Sequence, residues 1–190
     1  VASKPQNSTL LHFCFAYVII KEGGFMEYRD LYDENRKLTG ERIEKCEPVP
    51  VGRYYVTVMV FIENSNGEIL LQKRSQDKGG QWATTGGHPK SGETSEIGIR
   101  NEIEEELGVN VDNDNLVCYK TIQTEDDFVD FYYLKKDVDI KEINMQLEEV
   151  QDVKWFSKQE LEKMIMSGDF FKYHIQPYRD FLLYLQNTKR

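Results

Sequence analysis

The stretch from Gly86 to Val109, GGHPKSGETSEIGIRNEIEEELGV, holds the residues best suited to chemistry. Its spacing predicts a helix over Thr94–Leu107, closed by Gly108 as a C-cap. On that helix Glu102, Glu105 and Glu106 stand at i, i+3 and i+4, within one arc of roughly 100°. Ile99, Ile103 and Leu107 form an adjacent apolar stripe that would dock the helix on a sheet. The acids therefore lie beside the buried face rather than opposite it. Like charges at this spacing cost about 0.2–0.5 kcal/mol per pair, and the C-terminal half of a helix disfavours negative charge. An acidic cluster that opposes both local rules points to function. Carboxylates gathered at the edge of a core suit hard, oxygen-seeking cations such as Mg²⁺ or Mn²⁺. On helix geometry alone, a solvated acidic face competes with that reading. The preceding loop adds weight: Gly86-Gly87 lets the backbone approach a ligand closely and turn its carbonyls inward, and Glu93 supplies a fourth carboxylate.

Those residues need a scaffold, and the flanking sequence predicts one. Glu27 to Tyr32, a polar turn over Asp33–Arg36, and Lys37 to Ile43 read as a hairpin. The proline-containing run Glu47–Gly52 is a connector. Tyr54 to Ile62 is β-branched and aromatic, a buried strand. It turns through Asn64-Ser65-Asn66-Gly67 into a partner strand, Glu68 to Lys73. A loop containing Gly79-Gly80 and Gly86-Gly87 leads to the acidic helix. Leu116–Thr121, Phe128–Leu134 and Val150–Phe156 read as further strands. Ser157 and Glu160 form a capping box for a helix to about Met166, and Pro177 opens a last helix through Gln186. The fold class is α/β (or α+β), a mixed central sheet between helices with an N-terminal β-hairpin. Residues 1–25 read as an extension or, alternatively, a strand on the domain edge. Residues 26–190 form the functional domain, with 26–52 its hairpin and connector.

Composition narrows the partners. The 190 residues carry 33 acidic against 24 basic side chains, a net charge of -9. A chain this acidic lacks the basic face that nucleic acid or anionic membrane requires. The apolar run Leu10–Ile20 is too short to span a bilayer. A polyanionic substrate would need positive charge from elsewhere, and a divalent metal is the obvious source. Cys14, Cys46 and Cys118 are odd in number and widely spaced, which argues against a disulfide framework. They are expected to be small buried hydrophobes in a reducing cytoplasm.

The segment from Gly87 onward closely resembles the Nudix box. Gly87, Glu93, Glu102, Ile103, Glu105, Glu106, Gly108 and Val109 fall in register with that motif's glycines, glutamates and aliphatic positions. The resemblance extends over most of residues 26–170. Asp30–Asn35 and Leu38–Gly40 are similar to the branch related to isopentenyl-diphosphate isomerase. One position departs: the box arginine is Asn101 here, with Arg100 one place early and about 100° away on the helix.

The resemblance implies metal-dependent hydrolysis of a diphosphate linkage in a nucleoside diphosphate derivative or related organic pyrophosphate. It implies Glu102 and Glu106 as principal metal ligands, with the Gly87 carbonyl completing the inner shell. Glu105 would be a further ligand or the base, a role shared as a candidate with Glu102, and Glu93 would orient the cluster. Mg²⁺ or Mn²⁺ is the expected cofactor. An additional acid from a later loop is expected, with Glu149 favoured over Glu148, Asp126 and Asp127. Lys73, Arg74 and Gly86 are candidates for substrate contact, and His88 reads as a supporting loop residue. The expected partner is a small-molecule diphosphate substrate, with no nucleic acid and no membrane, handled by a cytoplasmic monomer or homodimer. Two alternatives remain. A non-catalytic Nudix-fold binding module is favoured by Asn101 alone. The isomerase lacks its cysteine, whose place is taken by Gly86, and finds no histidine between Tyr54 and Arg74.

Overall fold

Val56, Val58, Val60 and Ile62 pack into one core and Phe61 into another, so their strand is buried on both faces. Burial on both sides explains why its sequence is nearly continuous in apolar residues. This is β3 (Tyr55–Glu63) of a computed structural model that describes residues 27–188. Before it come β1 (Tyr28–Tyr32) and β2 (Leu38–Glu44), an antiparallel hairpin. After it come β4 (Ile69–Arg74), β5 (Trp82–Ala83), β6 (Thr85–Gly87) and α1 (Ser95–Leu107). The chain continues through β7 (Val117–Gln123), β8 (Asp127–Lys135), β9 (Val150–Phe156), α2 (Lys158–Ser167) and α3 (Ile175–Thr188).

Strands β3 to β9 form one seven-stranded mixed sheet. β3 lies at its centre, parallel to β8 over nine residue pairs, while the other pairings are antiparallel. Ile99, Ile103 and Leu107 of α1 are fully buried against one face. Leu161 of α2 and Tyr178, Phe181 and Leu185 of α3 cover the other with Ile69 and Leu71. Each such Ile, Leu or Phe side chain stabilises the layer by about 1.5–3 kcal/mol. The result is the expected mixed sheet between helices.

Three expectations require correction. The glycine-containing loop is partly strand: Thr85, Gly86 and Gly87 pair with Val60, Met59 and Val58. So short an insertion has no periodicity to read. The last helix begins at Ile175, two residues before Pro177, because a 3₁₀ turn over Lys172–His174 runs straight into it. Proline is tolerated in a first turn, where N–H groups lack helical partners anyway. Finally, Cys46 and Cys118 are exposed rather than buried. Cys46 follows β2 in a turn, and Cys118 lies on the edge strand β7. Cys14 and residues 1–25 lie outside the described residues.

The hairpin is anchored at several points. Arg36, in the left-handed region at φ +60°, reaches from the hairpin turn to Asp130 of β8. Asp130 also accepts from Thr121 at 2.6 Å and from Ser95, the first residue of α1. Tyr32 and Tyr54 exchange backbone hydrogen bonds of 2.7 and 3.0 Å. Hairpin, sheet and the start of α1 thus meet at one buried carboxylate.

Candidate active site

Thr94 caps α1 by accepting from the Ile97 N–H, and Gly108 ends it in the left-handed region at φ +67°. A side chain at Gly108 would also crowd Asn144, so glycine is required there twice over. Between these caps the helix turns Glu102 toward β6. A Cβ at Gly87 would collide with the Glu102 carboxylate, so glycine at this position is what admits the acid. The His88 N–H donates to Glu102 Oε1 at 3.1 Å. Desolvation nevertheless pushes the Glu102 carboxyl above its ordinary range, only partly opposed by that N–H.

One turn on, Glu106 is buried at 6% exposure. Its Oε2 accepts from Gln72 Nε2 at 2.8 Å, and Gln72 Oε1 accepts from the Thr85 hydroxyl at 2.9 Å. A carboxylate held in the core by a neutral amide is poorly compensated, and burial pushes it up to about 7. Glu105 is exposed and forms an ion pair with Lys90. Glu93 is held at both oxygens, by the Lys90 N–H and by Asn101 Nδ2, each at 2.8 Å. Arg100 turns away to Glu96 and to the Val111 and Asp114 carbonyls.

Glu106 opens into a cleft of about 80 Å³ shared with Arg74, Lys78, Glu149, His174 and Gly86. Glu149 forms an ion pair with Lys78 there. Arg74 donates to the Lys78 carbonyl at 3.0 Å and lies 4.3 Å above the Phe171 ring. Burial draws both cations below their ordinary pKa ranges. His174 Nδ1 accepts from the Thr84 N–H at 3.2 Å, and burial pushes its imidazole down to about 3. It is therefore a neutral donor and acceptor at pH 7.

The structure thus brings Gly86, Glu106, Arg74 and Glu149 into one cleft, while Gly87 and Glu102 lie against each other one residue and one helical turn away. Lys73 falls on the opposite face of β4, in phase with Ile69 and Leu71 of the second core. Glu148 is exposed. Asp127 is bound to the Thr57 hydroxyl at 2.6 Å, and Thr57 lies 3.3 Å from His88 Nδ1. Sequence reasoning missed three residues. Gln72 was legible as the neighbour of Arg74 at strand spacing. Lys78 and His174 carried no signal, since a loop and a distant 3₁₀ turn deliver them.

Among the described residues, no three His, Cys, Asp or Glu side chains stand together at metal-holding distances. The donor set still fits a hard divalent cation. Glu106 is a buried carboxylate without a cationic hydrogen-bond partner, Glu102 sits one turn away, and Gly87, having no Cβ, lets the Glu102 carboxylate lie against its backbone. Glu105, one turn from Glu102, is paired with an exposed lysine, and such a pair is weak. Among the described residues, no helix is long and apolar enough to cross a membrane.

The chain is similar to known proteins over most of its described residues. Residues 53–179 match the NUDIX domain family, so the hairpin lies outside the matched region. An uncharacterized Nudix hydrolase of Listeria monocytogenes is 36% identical over 152 residues, spanning 78% of this chain and 90% of the relative. An isopentenyl-diphosphate Delta-isomerase of Pectobacterium atrosepticum is 37% identical over 83 residues, 42% of this chain and 46% of that enzyme. Among solved structures, the Deinococcus radiodurans protein DR0079 superposes with a TM-score of 0.63 at 24% identity, covering 76% of this chain and 91% of that one.

Proposed function

The chain belongs to the Nudix family, and from that premise we propose that it hydrolyses a diphosphate linkage in a nucleoside diphosphate derivative or related organic pyrophosphate. One observation carries the reading: Glu106, a buried carboxylate with a neutral partner, lies one helical turn from Glu102 and shares a cleft with Arg74 and Lys78. Acids and cations facing one small space suit a metal–diphosphate complex, whose charge is mixed in the same way.

Glu102, Glu106 and the Gly87 carbonyl would hold Mg²⁺ or Mn²⁺, with Glu105 as a further ligand. When bound, the ion offsets the negative charge of the diphosphate and of the leaving phosphate. Arg74 contacts a phosphate oxygen from the cleft, and Lys78 follows when it releases Glu149. Water attacks phosphorus, the bridging P–O bond breaks, and the leaving phosphate takes the electron pair. Glu105 or Glu102 accepts the water proton. Glu93 keeps the loop before α1 in place, since Lys90 and Asn101 both donate to it.

The test is a panel of diphosphate esters with Mg²⁺ or Mn²⁺, followed by ³¹P NMR in ¹⁸O-labelled water. It reports the compound cleaved and the phosphorus attacked. Glu105→Gln and Glu106→Gln are expected to abolish turnover with the fold intact. Undiminished rates in both variants overturn the reading. Asn101 favours one other function, a Nudix-fold binding module; a ligand that raises Tm and is never cleaved would establish it.

A further inference from the structure

One face of the hairpin carries a second set of cations to the edge of the acidic helix. Arg29 pairs with Ile43, and Lys45 continues the ladder by donating its N–H to the Glu27 carbonyl at 2.9 Å. Strand alternation puts Arg29 and Lys45 on the same face as Leu31 and Ile43. That face docks on the domain, since Leu31 and Ile43 are 1% and 7% exposed. Its open end is fixed too. The Ser91 N–H donates to the Tyr28 carbonyl at 2.8 Å. Asp30 accepts from the Ser91 hydroxyl at 2.5 Å and the Gly92 N–H at 2.8 Å.

A chain of contacts runs from this end to the acids. The Arg29 guanidinium lies 5.1 Å above the Tyr55 ring. Tyr55 meets His88 edge-on with centroids 5.1 Å apart. The His88 N–H is bound to Glu102. The charge of Lys45 acts on Glu102, and both cations act on His88.

Arg29 Nε is buried and has no hydrogen-bond acceptor among the described residues. Folded proteins rarely leave such a group unmatched. Lys45 is paired with Glu27 at 2.8 Å, but with side chains 51% and 27% exposed. Exposed pairs are worth about 0–1 kcal/mol, so this ammonium changes partner easily. Neither cation is used in binding the metal or the diphosphate as described above.

We propose that Arg29 and Lys45 form a subsite beside Glu102 for an additional phosphate of the substrate, beyond the diphosphate at the acidic helix. The substrate class is then an organic diphosphate bearing at least one more phosphate. The inference rests on the hydrolase reading, and its test separates the two.

Inorganic pyrophosphate, tripolyphosphate and tetrapolyphosphate are titrated into the full chain by calorimetry, with Mg²⁺ in excess. The longer anions are expected to bind at least tenfold more tightly than pyrophosphate. The double variant Arg29→Gln/Lys45→Gln is expected to erase that advantage and leave pyrophosphate within about twofold. A control with the same change in charge, Lys37→Gln/Arg42→Gln, alters exposed hairpin cations, one beside the hairpin turn and one over Tyr28, and is expected to keep the advantage; its Tm and that of the test variant are measured alongside. No chain-length advantage in the wild type, an advantage that survives in the test variant, or an equal loss in the control overturns the subsite while pyrophosphate still binds. Absence of both pyrophosphate binding and diphosphate-ester cleavage overturns the hydrolase reading itself.

Discussion

Asn101 Nδ2 donates to Glu93 Oε1 across 2.8 Å, joining the middle of the acidic helix to the loop before it. The box position occupied by arginine in the family pattern is thus filled by a neutral side chain that still reaches a box glutamate. Arg100 takes no part, being bound to Glu96 and two carbonyls on another side of α1. A hydrogen bond to a charged group contributes about 1.5–3 kcal/mol. Asn101→Ala is therefore expected to lower Tm by several degrees and kcat about tenfold, with little change in KM. Asn101→Asp, which sets two carboxylates against each other, is expected to do worse. Steady-state kinetics on the cleaved diphosphate, with thermal melts in parallel, check both.

The contact between Gly87 and Glu102 gives a second expectation. A methyl group at residue 87 would occupy the space of the Glu102 carboxylate. Gly87→Ala is expected to displace Glu102 and lower kcat/KM at least a hundredfold. Mn²⁺ affinity, read by electron paramagnetic resonance, is expected to fall with it. Wild-type Mn²⁺ binding in this variant would show that Glu102 is not a ligand.

Arg74 supplies a test of substrate contact. Its guanidinium is largely desolvated in the cleft beside Glu106, and burial draws its pKa down. Arg74→Gln is expected to raise KM for the diphosphate substrate about tenfold, the usual effect of removing one charge-assisted contact. Lys73→Gln, on the other face of β4, is expected to leave KM unchanged. Equal effects of the two would contradict the alternation of the strand.

Asp130 contributes to the acid limb of stability. Burial raises its carboxyl pKa, but donors from Arg36, Ser95 and Thr121 together outweigh that and hold it below the ordinary range. The native state thus binds this proton less readily than the unfolded chain. The resulting stabilisation is complete above the unfolded pKa of about 3.9 and is lost as pH falls through the lower folded value. Removing one partner of a buried pair costs about 3–5 kcal/mol. Arg36 is one-third exposed and screened, so Arg36→Met is expected to cost less, about 2 kcal/mol. Denaturant melts between pH 2 and pH 7 should show a lower plateau for the variant and a higher midpoint of acid unfolding.

The sequence by itself determined the acidic helix, because its caps, apolar stripe and box glutamates all lie within one short segment. Ile99, Ile103 and Leu107 are buried as their spacing requires, and Thr94 and Gly108 close the ends. It also determined the layers, since an apolar strand such as β3 must be covered on both faces. Only the tertiary structure decided what faces those glutamates. Gln72 meets Glu106 through strand alternation, His174 arrives from about seventy residues further along the chain, and Arg36 crosses to Asp130 from the hairpin turn. Short-range periodicity encodes which side of an element is buried, and it carries no record of which distant side chain will share the space. That depends on how the sheet is ordered and where its connections return, the point at which Lys73 and Arg74, adjacent in the chain, part to opposite faces.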